Sequence, residues 1–186
     1  MSTFATATLQ REAPQLYDPL ATQPFWYAAY TLANHEKKAS GEISHRGIET
    51  FLPLYRASRR WSDRRVQLEL PLFPGYVFVR LALRDRLRVL QVPGVARIVG
   101  FGGLPAALPE EQIEALRAGL GGQLRAEPHP YLPIGRRVRI VRGPLCGAEG
   151  SLLRKKGVFR VVLSLELIMR SVAVEVDAAD VEPLRS

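Results

Sequence analysis

The spacing of apolar positions changes several times along this chain, and each change predicts an element. Residues 1 to 23 mix small, polar and proline residues with neither the strand period nor the helix period, so a disordered tail is expected there. At Phe25-Trp26-Tyr27-Ala28-Ala29-Tyr30-Thr31 the aromatic content rises abruptly and predicts a first strand. Asn34 stands at an N-cap position, and the segment from His35 to His45 closes at Gly47, a glycine suited to the C′ position. Its one large apolar residue is Ile43, which predicts a helix lying on a sheet. β-Formers return from Ile48 to Tyr55, with Pro53 marking an edge or a bulge, and Val66 to Leu70 alternates strictly. Pro74 and Gly75 then break the chain just before Tyr76-Val77-Phe78-Val79, the pattern of a turn feeding a buried strand. From Arg84 to Leu90 the leucines at 87 and 90 predict a short helix that lays those two side chains on the sheet. Val95 to Phe101 reads as a strand running into a Gly102-Gly103 turn. Pro109, Glu110 and Glu111 open a further helix, with Ile113, Leu116 and Leu120 on one face and Gly121-Gly122 as its stop.

This order predicts an α+β fold. Residues 24–122 form an α/β sandwich with an antiparallel sheet, and residues 123–130, polar between glycine and proline, form a flexible linker. Residues 131–186 have almost no helical period. Val138 and Ile140 alternate with Arg137 and Arg139, Gly143-Pro144 makes a turn, and Lys155-Lys156-Gly157 separates two β-forming runs as a hairpin turn does. So short a unit buries a core only as a compact β-barrel.

Charge adds a partner to this picture. The chain of 186 residues carries a formal net charge of +8, with 14 Lys or Arg against 9 Asp or Glu in residues 24–122 and 10 against 6 in residues 130–186. Both halves are therefore basic, which favours a polyanion such as nucleic acid. The densest run, Arg56-Ala57-Ser58-Arg59-Arg60-Trp61-Ser62-Asp63-Arg64-Arg65, falls between two predicted strands. It reads as a hairpin whose tip offers Arg56, Arg59, Arg60, Arg64 and Arg65 to phosphate, with Trp61 either stacking on a base or packing on the stem. No apolar run is long enough to span a bilayer and no secretory signal opens the chain, so a cytoplasmic protein without a membrane partner is expected.

The sequence offers little for catalysis. A single cysteine, Cys146, and three scattered histidines suggest neither a disulfide framework nor a metal set. Gly100-Phe101-Gly102-Gly103-Leu104-Pro105 lacks the third glycine of a dinucleotide loop and reads as a turn. Glu110 and Glu111 suit a helix N-terminus. No enzyme, cofactor or metal is expected.

Two linked motifs resemble a known family. Phe25-Trp26-Tyr27 with Phe73-Pro74-Gly75-Tyr76-Val77-Phe78-Val79 resembles the N-terminal domain of the bacterial transcription factor NusG, and Gly135 to Gly150 resembles the KOW motif that follows it there. The resemblance implies a monomeric transcription elongation and antitermination factor with a C-terminal SH3-like barrel. Its N-terminal domain would bridge the RNA polymerase cleft. Phe73 and Tyr76 then correspond to the apolar polymerase-binding patch, and Arg84, Arg86 and Arg88 to the opposite wall of the cleft. Arg56 to Arg65, with Lys37 and Lys38, would face upstream or non-template DNA. Leu167-Ile168-Met169-Arg170 stands where housekeeping members carry the Ile-Phe-Gly-Arg that helps recruit Rho or a ribosomal protein, so that contact would be altered, as in specialised paralogues. The alternative is a ribosome-associated RNA-binding protein of the KOW type.

Overall fold

A computed structural model describes residues 19–61, 64–121, 126–129, 136–155, 158–165 and 168–184. A single helical turn, α1 (Pro19–Thr22), precedes β1 (Phe25–Thr31), α2 (Glu36–His45) and β2 (Glu49–Phe51). The hairpin β3 (Leu54–Trp61) and β4 (Arg64–Pro71) leads to β5 (Tyr76–Leu81), a 3-10 turn at Leu83–Asp85 and α3 (Arg86–Leu90). After them come β6 (Val95–Ile98), a tight hairpin of β7 (Gly100–Phe101) and β8 (Leu104–Pro105), and α4 (Glu110–Gly121). The C-terminal part contains β9 (Ala126–His129), β10 (Arg136–Ile140), β11 (Glu149–Lys155), β12 (Val158–Leu165), β13 (Arg170–Val176) and β14 (Val181–Pro183).

Two antiparallel sheets organise these elements. The first has the order β2-β5-β1-β6, and the second runs β14-β10-β11-β12-β13-β9. The mixed helix and antiparallel-sheet class expected from the pattern is the observed one. In the first sheet the central pair, β1 and β5, is covered on both faces. Tyr27, Ala29, Val77 and Val79 pack with Ala39 and Ile43 of α2 and Val89 of α3. Trp26, Ala28 and Phe78 belong to the other cluster, with Ile113 and Leu116 of α4. Alternate residues of one strand thus feed two cores, as a period of two requires. Arg117 of α4 ties that helix down, lying 5.2 Å from the Trp26 ring and pairing with Glu49 at 3.1 Å.

The second cluster continues into the C-terminal sheet. Val138, Ile140, Leu145, Val161 and Leu163 join Trp26, Phe73 and Leu116 in one contiguous apolar core. Leu145 lies close enough to α4 that a Cβ on Gly119 would sit 2.6 Å from its Cδ2. Between the two parts a cleft of about 920 Å³ remains, lined by Phe73, Leu108 and Leu116 on one side and Cys146, Ala148 and Leu163 on the other.

Several expectations are corrected. Residues 123–130 are not a plain linker, because Ala126–His129 forms β9 and pairs with β13 from Val174↔Ala126 to Ser171↔His129. Within the expected tail, residues 1–18 lie outside the described set, and residues 19–22 form a helical turn. Asn34 is not the N-cap: it takes a left-handed φ of 63°, and His35 caps α2 without a side-chain bond. The face of α3 is also inverted. Val89 is buried, while Leu87 and Leu90 are exposed, since in so short a helix the backbone entry from the 3-10 turn, not the leucine spacing, sets which side meets the sheet. β12 is extended through Leu165, so the leucine-rich run after Val162 follows the β-branched pattern that precedes it.

Candidate functional site

The turn Phe73-Pro74-Gly75-Tyr76 is fixed at its backbone. Gly75 has a φ of 85°, which only glycine adopts without strain. Its N–H donates to the Glu36 carboxylate at 2.8 Å, and its carbonyl accepts from Thr31 N–H at 2.8 Å. Tyr76 N–H closes the turn on Phe73 O at 3.1 Å. Glu36 is 5% exposed although it carries a carboxylate, because the first residue of α2 delivers it beneath the turn.

This turn presents Tyr76 and hides Phe73. Phe73 is 1% exposed and stands edge-on to Phe78, with ring centroids 5.5 Å apart. The expectation that Phe73 offers its ring to a partner is therefore corrected: packing turned it inward, where its burial contributes about 1.5–3 kcal/mol. Tyr76 remains half-buried. Register places it directly across from Tyr30, and the rings lie 5.4 Å apart. The Arg97 guanidinium lies 4.8 Å from the centroid of Tyr30, and that of Arg170 lies 6.0 Å from the centroid of Tyr76. The result is a row of Arg97, Tyr30, Tyr76 and Arg170 that runs from β6 to the start of β13. Tyr30 and Arg97 were not singled out by the sequence, since nothing local reveals cross-strand register.

The other expected residues are distributed around this row. Arg84, in the 3-10 turn, and Arg86, at the start of α3, are exposed. Arg84 faces Asp85 at 3.7 Å, and Arg86 donates to Leu83 O at 3.3 Å. Arg88 is committed locally: it donates to Arg46 O while Arg46 Nη1 donates to Arg88 O at 2.9 Å, so each arginine caps the last carbonyls of the other's helix. Arg88 is nevertheless exposed. Lys37 and Lys38 are exposed on the first turn of α2.

In the basic run the strands continue further than expected. Arg59, Arg60 and Trp61 belong to β3, paired with Val66, Arg65 and Arg64 of β4, and Arg56 is exposed opposite Glu69. Ser62 and Asp63 lie outside the described residues.

In the C-terminal segment, Leu167 lies outside the described residues. Ile168 is 4% exposed and belongs to the shared core, Met169 is exposed with a φ of 50°, and Arg170 meets Tyr76. Ile168 is therefore corrected from a partner-facing residue to a core residue. Arg137 and Arg139 are held by Glu149, at 3.4 and 2.6 Å. Hydrogen bonds from Arg139, followed by its charge and then by Arg137, hold the Glu149 carboxyl below its ordinary value.

Among the described residues no group of His, Cys, Asp and Glu is arranged to hold a metal ion, and no helix is long and apolar enough to cross a membrane.

Comparison with known proteins places this geometry. A family model described as "Transcription termination factor nusG" matches residues 24–117, the whole of the first sheet and most of α4. The chain belongs to the NusG family. Among its NusG relatives, the transcription termination/antitermination protein of Lactococcus lactis is 26% identical over 175 residues, covering 87% of this chain and 94% of that protein. The Thermus thermophilus protein of the same name is 26% identical over 180 residues, covering 84% and 96%. A solved structure titled "Domain interaction in Thermotoga maritima NusG" shares the fold with a TM-score of 0.57 at 22% identity, over 89% of this chain and 99% of that one. The chain is thus a transcription factor of the NusG type.

Proposed function

We propose that this NusG-type factor binds RNA polymerase across its cleft, suppresses pausing during elongation and recruits a further partner through its C-terminal KOW unit. Tyr76 is the observation that carries the reading. Its ring stands at the surface on a turn whose backbone is bonded on both sides, so it can bury a large area with little loss of rotamer freedom. Phe73 supports it from the core. Arg84 and Arg86 face the second wall of the cleft, while Arg56, the arginines of the β3–β4 hairpin, Lys37 and Lys38 meet upstream or non-template DNA. Met169 and Arg170 belong to the surface that meets Rho or a ribosomal protein. Because Arg170 lies against Tyr76, polymerase docking and this contact between the two halves compete, and engagement of polymerase frees the C-terminal surface.

Titration of the full chain against purified core polymerase tests the reading. Tyr76→Ala weakens binding while far-ultraviolet circular dichroism stays unchanged, and the wild type shortens pauses in a single-round elongation assay. Equal affinity of wild type and variant would sink it. Salt-sensitive binding to ribosomal RNA without polymerase binding would favour the ribosome-associated alternative.

A further inference from the structure

Among the described large apolar side chains, the two most exposed are Phe101 and Leu104, at 72% and 75%. They stand opposite each other across the β7–β8 hairpin. The hairpin is tightly built. Gly102 and Gly103 have φ values of 56° and 81°, the positive pair that a type I′ turn requires. A Cβ on Gly100 would lie 1.8 Å from the Leu104 carbonyl oxygen, so the two strands approach this closely only because Gly100 has no side chain. Its base is bonded by Ala106 N–H to Val99 O at 3.1 Å, and its flanks are tied to β1 by Val99 N–H to Ala28 O and Leu108 N–H to Trp26 O, both at 2.8 Å.

A fixed prong that holds a phenylalanine and a leucine in water gains nothing for folding, and such a feature marks a contact surface. Charge narrows the partner. From Ile98 to Pro109 no side chain is charged or polar, in a chain whose net charge is +8. A phosphate backbone or an anionic headgroup would find no cation on the prong, whereas an uncharged apolar pocket on a protein is matched. Position narrows it further. Arg97 lies over Tyr30, which packs at a tilt against Tyr76, and Phe101 follows Arg97 by four residues, at most about 14 Å of chain. The prong therefore leaves the sheet at β6, the strand next to the β1 that carries Tyr30, while Tyr76 starts β5 on the other side of β1.

We infer that Phe101 and Leu104 are a second anchor for RNA polymerase, inserted into an uncharged apolar pocket beside the surface that Tyr76 contacts. This rests on the polymerase reading above. The test is the affinity of the full chain for purified core polymerase, measured for wild type, Tyr76→Ala, Phe101→Ser/Leu104→Ser, and Gly100→Ala, which keeps both anchors but forces the hairpin open. The serine double variant is expected to bind about tenfold or more weaker, with the deficit unchanged by added salt, and Gly100→Ala is expected to share it in part. Hydrogen exchange checks that the first sheet of each variant is intact. A folded double variant with wild-type affinity overturns the inference while leaving the Tyr76 reading standing. So does a wild type whose concentration-dependent self-association is lost in the double variant at unchanged polymerase affinity, since the pocket then belongs to a second copy. A wild type with no affinity for polymerase overturns both readings.

Discussion

The Glu36 carboxylate and the Gly75 N–H, 39 positions apart in sequence, meet at 2.8 Å in a buried hydrogen bond. One residue of α2 thereby holds the turn that presents Tyr76. Removing the acceptor leaves the Gly75 N–H without its bonded partner, and an unsatisfied buried group costs about 1–3 kcal/mol. Glu36→Ala is expected to lose stability in that range. Glu36→Gln keeps an oxygen acceptor and loses less, chiefly the favourable charge at the start of α2, about 0.3–1 kcal/mol. Urea denaturation of the three proteins checks the order, and equal midpoints for Ala and Gln would remove the hydrogen bond from the account. Hydrogen exchange at Gly75 should accelerate in the alanine variant first.

Gly75 itself is constrained twice. At a φ of 85° any side chain is strained, and an added Cβ would stand 3.2 Å from Cε2 of Tyr30. Gly75→Ala is expected to destabilise by about 1–2 kcal/mol from the left-handed backbone alone. Because Tyr30 is the ring against which Tyr76 packs at a tilt, the near-ultraviolet circular dichroism of the tyrosines should change as well. A variant as stable as wild type, with an unchanged spectrum, would contradict this geometry.

The contact between the two halves gives a third prediction. Gly119 faces Leu145 so closely that a large side chain there must displace Leu145 and, with it, the turn between β10 and β11 that packs on α4. Gly119→Leu is expected to separate the halves, raising the radius of gyration in small-angle X-ray scattering while both sheets keep their hydrogen-exchange protection. Arg170→Ala, which removes the contact with Tyr76, should act in the same direction but more weakly, since an exposed cation–π contact is worth about 0.5–1 kcal/mol. If separation of the halves uncovers Tyr76, Gly119→Leu also binds polymerase more tightly than wild type. A compact Gly119→Leu protein with wild-type affinity would show that the two halves do not restrain each other.

Where a feature was written in local chemistry, the sequence revealed it. Pro74-Gly75 before a β-branched run, the acidic opening of α4 and the turn at Gly102-Gly103 are all determined by residues within a few positions. The site itself depended on longer relations. Phe73 and Tyr76 are both aromatic and both flank the Pro-Gly turn, yet one entered the core and the other stayed half-buried, because side chains of α4 and the C-terminal sheet complete the cluster around Phe73. Leu87 and Leu90 had helical spacing but stand in solvent, since five residues carry too little pattern to outweigh the packing of Val89. Glu36 looked like an ordinary first-turn acid. Its burial follows only from the fold bringing the turn above α2. Within Leu167 to Arg170, the core took Ile168 and left Met169 exposed.

The C-terminal sheet supplies a pH test. Hydrogen bonds from Arg139 and the charges of Arg139 and Arg137 lower the pKa of Glu149 from its ordinary value of 4.5. A carboxyl whose folded pKa is depressed contributes stability that is fully present above the unfolded value and is lost as pH falls through the folded one. Glu149→Gln removes that contribution. The variant should therefore be less stable than wild type at neutral pH, with a gap that stays constant down to about pH 4.5 and closes as the pH is lowered further. Because the group is solvent-exposed, the gap is small and narrows when salt is added. Urea midpoints of the two proteins across this range give the difference directly. A gap that widens in acid would mean that Glu149 is held by something other than the two arginines.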